Sequence, residues 1–359
     1  MKHKLTAWLD HLIYDEYRLP EGAVSLFRIV YSSFVLFVIG VPQFRWISDS
    51  PDYFFEPPTL SLAALFPSFP DYTFLLALDI VLVTLFVLLL FGLYTRVVTV
   101  ALGLVMVVGY SFYYSFGKIN HDALLMIYVP FAMVFSNWGG HFSIDNQRSG
   151  GTKANEEKHW PIFLLAILLS FGMFSAGVPK LLNGWLDPTT QAVKNIVITY
   201  HYFNNFPERF LQPYLIGYDN TLLWEAMDYT AVIFEICFLF AVVRRKWFSA
   251  FVVIAIAFHA MNLLIFSISF VNNLTLYLLF INWDDILAKF VTLQLDRFVK
   301  LSFLLSVLVV VLIGYLMNFP INFIALANIV GVHFLTSSLI ICALAAVLFS
   351  VNYLKSWSN

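Results

Sequence analysis

Charge is scarce in this 359-residue chain: Asp, Glu, Lys and Arg make up 12% of it, against ~25% in an ordinary soluble domain. The 20 basic and 22 acidic residues leave a formal net charge of -2, so the polybasic footprint of a nucleic-acid binder is missing and that class is set aside. There are two cysteines, Cys237 and Cys342, both inside apolar runs. A structural disulfide is therefore not expected, and cysteine usage leaves the redox compartment open. HExxH, CxxC and clustered His/carboxylate spacings are absent, so no metal site is predicted. GxGxxG, the Walker loop and GxSxG are absent too, which removes the usual signatures of nucleotide-driven transport and serine-hydrolase chemistry. Repeats and low-complexity tracts are lacking, and the one flexible polar linker of any length is SGGTKANEEK, Ser149 to Lys158.

Apolar sequence fills the space that charge leaves. Hydrophobic residues make up 60% of the chain and aromatics 18%, with a mean hydropathy of +0.82. A bilayer core takes about 20 apolar residues per helix, and the predicted segments are Val24–Val41, Phe74–Gly92, Val97–Phe116, Ala123–Phe135, Pro161–Val178, Leu222–Val243, Phe248–Phe266, Phe270–Ile281, Leu301–Met317 and Ile324–Val351. The eighth is short enough to be re-entrant or joined to its neighbour. The pattern predicts an all-α integral membrane protein, a polytopic bundle of about nine to ten transmembrane helices. Residues 1–23 mix Lys2, Lys4 and Arg18 with Asp10, Asp15, Glu16 and Glu21, so no cleavable signal peptide is expected there. With the N-terminus cytoplasmic, Arg45, Lys118, Lys180, Lys194 and Arg209 fall outside, Arg28 lies within the first helix, and the other basic residues fall inside, as the positive-inside rule favours. In a prokaryote this would be the cell membrane.

Ionisable side chains at bilayer depth are costly, ~2.5 to 3.5 kcal/mol on insertion scales, so each needs a partner or a function. Arg28, Asp79, Asp228, Glu235 and His259 qualify. Asp228 and Glu235, seven apart, share a helix face; an internal ion-pair network with Arg28 and a polar cavity are the two readings of these acids. His121 stands with Lys118 in GKINHDALL at the outer start of the fourth segment, either as an interfacial polar residue or as a proton-transfer group. Lys180 is expected to end its helix in SAGVPKLLNGW, with Gly177 and Pro179 breaking the helix beside it. It reads either as a snorkelling lysine or as a partly desolvated base. His259 lies in AFHAMNLLIFSISF with Asn262, Ser267 and Ser269, a polar ladder that suits interhelical hydrogen bonds or the lining of a pocket.

Four runs in this order, FGLYTR (Phe91–Arg96), NHDALL through NWGGHFSID (Asn120–Asp145), SAGVPKLLNGW (Ser175–Trp185) and FHAMNLLIFSISF (Phe258–Phe270), resemble the horizontally transferred transmembrane (HTTM) domain family. The resemblance is to the membrane part of the vitamin K-dependent gamma-glutamyl carboxylases. It covers residues 1–285 and leaves 286–359 as additional C-terminal transmembrane helices. It implies that Lys180 deprotonates a reduced quinone, vitamin K or another quinol. Reaction with O2 then gives an epoxide and a strong alkoxide base, and a glutamate carbanion takes up CO2. It further implies that His121 stabilises the reacting species and that His259 belongs to the same cavity, with Asn120, Asn262 and Trp185 around the quinone.

The sequence departs from that pattern in two ways. Pro179 stands where the family's carboxylases have the first lysine of a Lys–Lys pair. Residues 286–359 read as two apolar segments and a short tail, so a counterpart of the large extramembrane region that holds their protein substrate is not expected there. Two readings stay open. One is a carboxylase-like membrane enzyme acting on a quinone and a glutamate-containing peptide or protein. The other is a non-enzymatic lipid- or quinone-binding module that assists a partner.

Overall fold

The computed structural model describes residues 2–117, 123–151, 158–203, 209–283, 286, 297–317, 319 and 321–358. In chain order the helices are α1 (Lys2–Asp10), α2 (Ala23–Phe34), α3 (Tyr72–Phe91), α4 (Thr95–Tyr113), α5 (Leu124–Met133), α6 (Ile144–Arg148), α7 (Trp160–Leu182) and α8 (Ala192–Phe203). They are followed by α9 (Gln212–Leu215), α10 (Thr221–Ala241), α11 (Arg245–Phe266), α12 (Leu274–Tyr277), α13 (Arg297–Leu316), α14 (Phe323–Ile329) and α15 (Phe334–Ser358). The described residues form no strand; a single bridge pairs Glu56 with Phe116. This is the all-helical, multi-pass membrane architecture that the composition predicts.

Among the described residues, six helices are long and apolar enough to cross a membrane: α3, α4, α7, α11, α13 and α15. Shorter apolar helical stretches run over Ala23–Ile39, Leu124–Met133 and Val271–Phe280. α10 has 21 residues but carries Glu225, Asp228 and Glu235, which lowers its apolar character. Two boundaries differ from the sequence reading. The predicted span Ile324–Val351 is two helices, α14 and α15, parted at Gly331 with φ +84°. Gly177 and Pro179 do not break α7, which runs on to Leu182. Pro179 sits in the last turn, where its missing N–H forfeits only one backbone bond.

The described chain forms two compact units. One contains Met1–Arg18, Ile162–Asn282 and Val330–Asn359, and the other Leu19–Pro161 and Trp283–Ile329. In the first unit α11 packs along α15, and α10 lies against both α8 and α11. The buried Tyr17 packs on Phe163 and Phe248 and donates to the Val242 carbonyl at 2.8 Å, and the Glu16 carboxylate accepts the Arg245 N–H at 2.9 Å. The N-terminal segment is thereby fastened to the α10–α11 corner.

In the second unit α3 packs against α2, α4 and α13. α3 starts where the Asp71 side chain accepts the Phe74 N–H at 2.8 Å and ends at Gly92, which takes up a left-handed conformation (φ +67°). A Cβ on Gly92 would strike Ser143 and the Arg28 guanidinium, so glycine is required there for space as well as for φ. Next to this turn Asp145 accepts the backbone N–H groups of Tyr94 and Thr95 at 2.9 and 2.7 Å and the Thr95 hydroxyl at 2.9 Å, which caps α4.

Candidate functional site

In the first unit Gly177 lets α7 come close to α10. A Cβ at this position would lie 2.9 Å from Cβ of Glu235 and 3.2 Å from Ile236, so any larger residue would force the helices apart. One turn further along α7, Lys180 Nζ meets Glu235 Oε1 at 2.5 Å. The lysine side chain is about one-quarter exposed and the glutamate is buried. The ammonium also lies 5.1 Å from the centroid of the Trp185 ring, a cation–π contact. Glu235 Oε2 is buried and has no hydrogen-bond partner among the described residues. A buried acid left half-satisfied beside a lysine is a proton-exchange arrangement as much as a structural one.

Lys180 lines a cavity of about 560 Å³, with Glu235 buried behind it. Lys180, Trp185 and Asn262 supply polar or amphipathic groups, and Met227, Phe234, Phe258, Met261, Phe266 and Phe270 are among its apolar lining. A mainly apolar pocket with a few convergent polar groups is the usual form of a small-molecule site. Its floor is a packed cluster of Val193, Val197, Trp224 and Ile265, with Trp185 and Met227 against it. Beyond Trp185 the Asp187 turn is closed by Thr189, whose backbone N–H and hydroxyl donate at 2.9 and 2.8 Å. Those two donors hold the Asp187 carboxyl below the usual carboxylate range.

His259 is buried one ring away from that cavity. It stacks on Phe270, a lining residue, with centroids 4.7 Å apart, and on Tyr277 at 5.9 Å. Its Nε2 is 2.8 Å from the Tyr277 hydroxyl and 3.5 Å from Asn273 Nδ2, while Nδ1 has no hydrogen-bond partner among the described residues. The structure therefore brings together Lys180, Trp185, Asn262 and, just behind them, His259. Asn120 and His121 lie outside the described residues.

The remaining charged residues hold backbone. Arg28, fully buried in α2, donates from Nε to the Trp138 carbonyl at 3.1 Å and from its Nη atoms to the carbonyls of Leu89, Leu90 and Phe142. It closes the C-terminus of α3, and the expected side-chain ion-pair network gives way to carbonyl contacts because a helix end leaves its last carbonyls unsatisfied. Asp79 accepts the N–H groups of Phe44 and Arg45 at 2.8 and 3.2 Å. Asp228 accepts those of Ala192 and Val193 at 2.8 and 2.7 Å, fixing the first turn of α8, which forms one wall of the cavity. Asp228 and Glu235 share α10 yet serve different ends: one carboxylate meets backbone and the other meets Lys180.

Sequence reading missed three features: the Lys180–Glu235 pairing, Tyr277 as the partner of His259, and the contribution of α8 to the pocket. The first had a legible trace, an acid inside an apolar helix and a glycine one turn before the lysine. The partner of His259 had none, because Tyr277 lies in a short segment whose path depends on its packing. The HTTM domain family model matches residues 18–285. No curated protein and no solved structure gives a match.

Proposed function

The chain belongs to the HTTM domain family, and from that premise we propose that it is a membrane enzyme resembling the vitamin K-dependent gamma-glutamyl carboxylases. It would use a reduced quinone with O2 and CO2 for glutamate carboxylation or a related proton abstraction. The observation that carries this reading is Lys180 in the wall of an apolar cavity, paired with the buried Glu235. A flat aromatic headgroup suits that space: Trp185 and Phe270 offer ring faces, Asn262 a hydrogen-bonding amide, and apart from Lys180 and Thr230 the rest of the lining is apolar or aromatic.

A reduced quinone bound there would supply the redox chemistry with O2. The chain's own contribution is proton handling and exclusion of water. Shifting one proton along the 2.5 Å contact turns the ammonium–carboxylate pair into a neutral amine and a carboxylic acid without creating net charge. The amine so formed is a competent general base towards a phenolic hydroxyl whose pKa is near its own. Glu235 keeps the displaced proton in a buried position, and the apolar lining keeps bulk water from quenching a strong base. His259, held by Tyr277 and stacked on Phe270, supports the far wall, and we assign His121 with Asn120 to the same chemistry on the strength of the resemblance.

The proposed orientation puts the N-terminus in the cytoplasm and Lys180 towards the opposite side. About ten crossing segments result when α10 and the three shorter apolar stretches are added to the six long helices. A second reading, a lipid- or quinone-binding module assisting a partner, is favoured by the pairing itself, since a lysine held as an ammonium by Glu235 binds ligands but accepts no proton.

The deciding experiment supplies folded protein in detergent with a reduced naphthoquinone, O2, bicarbonate and a glutamate peptide. Both quinone and peptide are then followed by mass spectrometry. Quinone epoxide and added carboxyl mass are expected from the native protein and neither from Lys180→Ala. Bound but unchanged quinone in both proteins would leave the binding module standing.

A further inference from the structure

A cavity of about 460 Å³ lies within the unit of Leu19–Pro161 and Trp283–Ile329, and its lining residues all differ from those around Lys180. It is divided by chemistry. Phe37, Phe91 and Phe303 line one part, and Ser143, Asn146 and Lys300 another. Phe37 and Phe303 are exposed and belong to apolar helical segments, so that part opens towards lipid. Among the described residues neither Asp nor Glu lines the cavity.

Among the described residues the polar lining carries a cation and no carboxylate. Lys300 makes no ion pair among the described residues, although it is half-buried. Arg28 stands behind the wall, donating to the carbonyls of Leu90 and Phe142, both of which line the cavity, with Asp145 as its electrostatic counterweight. Glu21, which is exposed, lies 3.4 Å from the lining residue His141, which absorbs its charge when protonated. Asn146 Oδ1 is buried without a hydrogen-bond donor among the described residues. A lysine without a counter-ion and an unused amide acceptor beside a lipid-facing aromatic slot match a headgroup that carries both an acid and hydroxyl groups.

We propose that this cavity seats an anionic membrane lipid, its acidic headgroup on Lys300 and Asn146 and its chains along Phe37, Phe91 and Phe303. Lys300 and Phe303 belong to α13, outside the residues 18–285 that the family model covers. The helices after the family domain thus complete a lipid site that the domain alone would leave open.

The test uses delipidated full-length protein in detergent, offered equal amounts of phosphatidylglycerol and phosphatidylcholine with the same acyl chains, with retained lipid read by native mass spectrometry. Phosphatidylglycerol is expected to be retained about tenfold more, the worth of one charge-assisted contact. Lys300→Gln should bring that ratio close to one, and Lys300→Arg should keep it. Val307→Trp, which fills the apolar part, should reduce retention of both lipids, and it keeps the proposal testable if the Lys300 variants fold poorly. Equal retention of the two lipids by native protein, or an unchanged ratio in folded Lys300→Gln, would overturn the proposal. Competition by glycerol 1-phosphate as effective as by phosphatidylglycerol would do the same, because the ligand would then be a soluble phosphate ester.

Discussion

In the proposed mechanism Lys180 and Glu235 share one labile proton, which would give the pair a mutational signature distinct from a purely structural bridge. Glu235→Gln keeps the side chain's shape and can still accept a hydrogen bond from Lys180, yet it takes no proton from it. Turnover in the quinone assay is expected to fall by ~10² to 10⁴, the usual range for loss of a proton-transfer partner. Removing one partner of a buried pair typically costs ~3 to 5 kcal/mol; here the lysine reaches solvent, so a smaller loss is expected. Thermal melts beside single-turnover kinetics separate the two effects. A variant that melts early but turns over at the native rate would assign Glu235 to stability alone. Asp228 offers the contrast within the same helix, because its oxygens accept two backbone N–H groups where Glu235 meets a lysine. The Asp187 turn should be insensitive to mild acid, since its depressed carboxyl keeps the two Thr189 hydrogen bonds until the pH falls through that lowered value.

At the level of elements the contact of α7 with α10 sets the site, and two glycines on α7 allow it to be tested. Gly177 faces Glu235 and Ile236 with no room for a methyl group, whereas a Cβ at Gly172 would meet nothing within 4 Å. Gly172→Ala is expected to be neutral or stabilising by up to ~1 kcal/mol, as for glycine in a helix interior. Gly177→Ala should destabilise by ~1 to 3 kcal/mol through overpacking and lower turnover by displacing Lys180. Melting temperature and activity of the two variants side by side check this, and equal behaviour would remove Gly177 from the argument. A similar economy holds α3 and α4: Gly92, Arg28 and Asp145 turn one helix into the next by satisfying the carbonyls of the first and the N–H groups of the second. The FGLYTR run and the Asp145 that closes the second run are thus explained by folding. The AGVPK and FHAMN runs point towards the cavity.

The whole molecule is a multi-pass membrane protein, and its proposed orientation predicts opposite labelling of two loops. In a background lacking Cys237 and Cys342, Lys194→Cys should react with an impermeant maleimide added outside intact cells. Arg148→Cys should react only after the membrane is opened. The reverse pattern would put the Lys180 cavity on the cytoplasmic side and remove the basis for the positive-inside assignment. The two compact units are discontinuous in sequence, each taking part of the segment after residue 285. α15 packs along α11 in one and α13 along α3 in the other, so the C-terminal helices cover faces of the family domain within each unit.

Class, helical content and the positions of the six long apolar helices follow from the sequence alone, because a bilayer demands long apolar runs whose hydrogen bonds close within the run. Lys180, His259, Asn262 and Trp185 were grouped in one pocket only by the family resemblance, since each side chain alone also suited a structural role; the structure sets Lys180, Trp185 and Asn262 on one cavity with His259 stacked behind its Phe270. Tertiary packing decided which acid each cation would meet. Glu235 reaches Lys180 because Gly177 leaves no side chain between the helices, while Arg28 meets carbonyls at a helix end that chain order does not place beside it. It also split the predicted last span at Gly331 and carried α7 past Pro179. Apolar runs report where a chain can enter a membrane, but a polar side chain finds its partner only when the helices around it have closed.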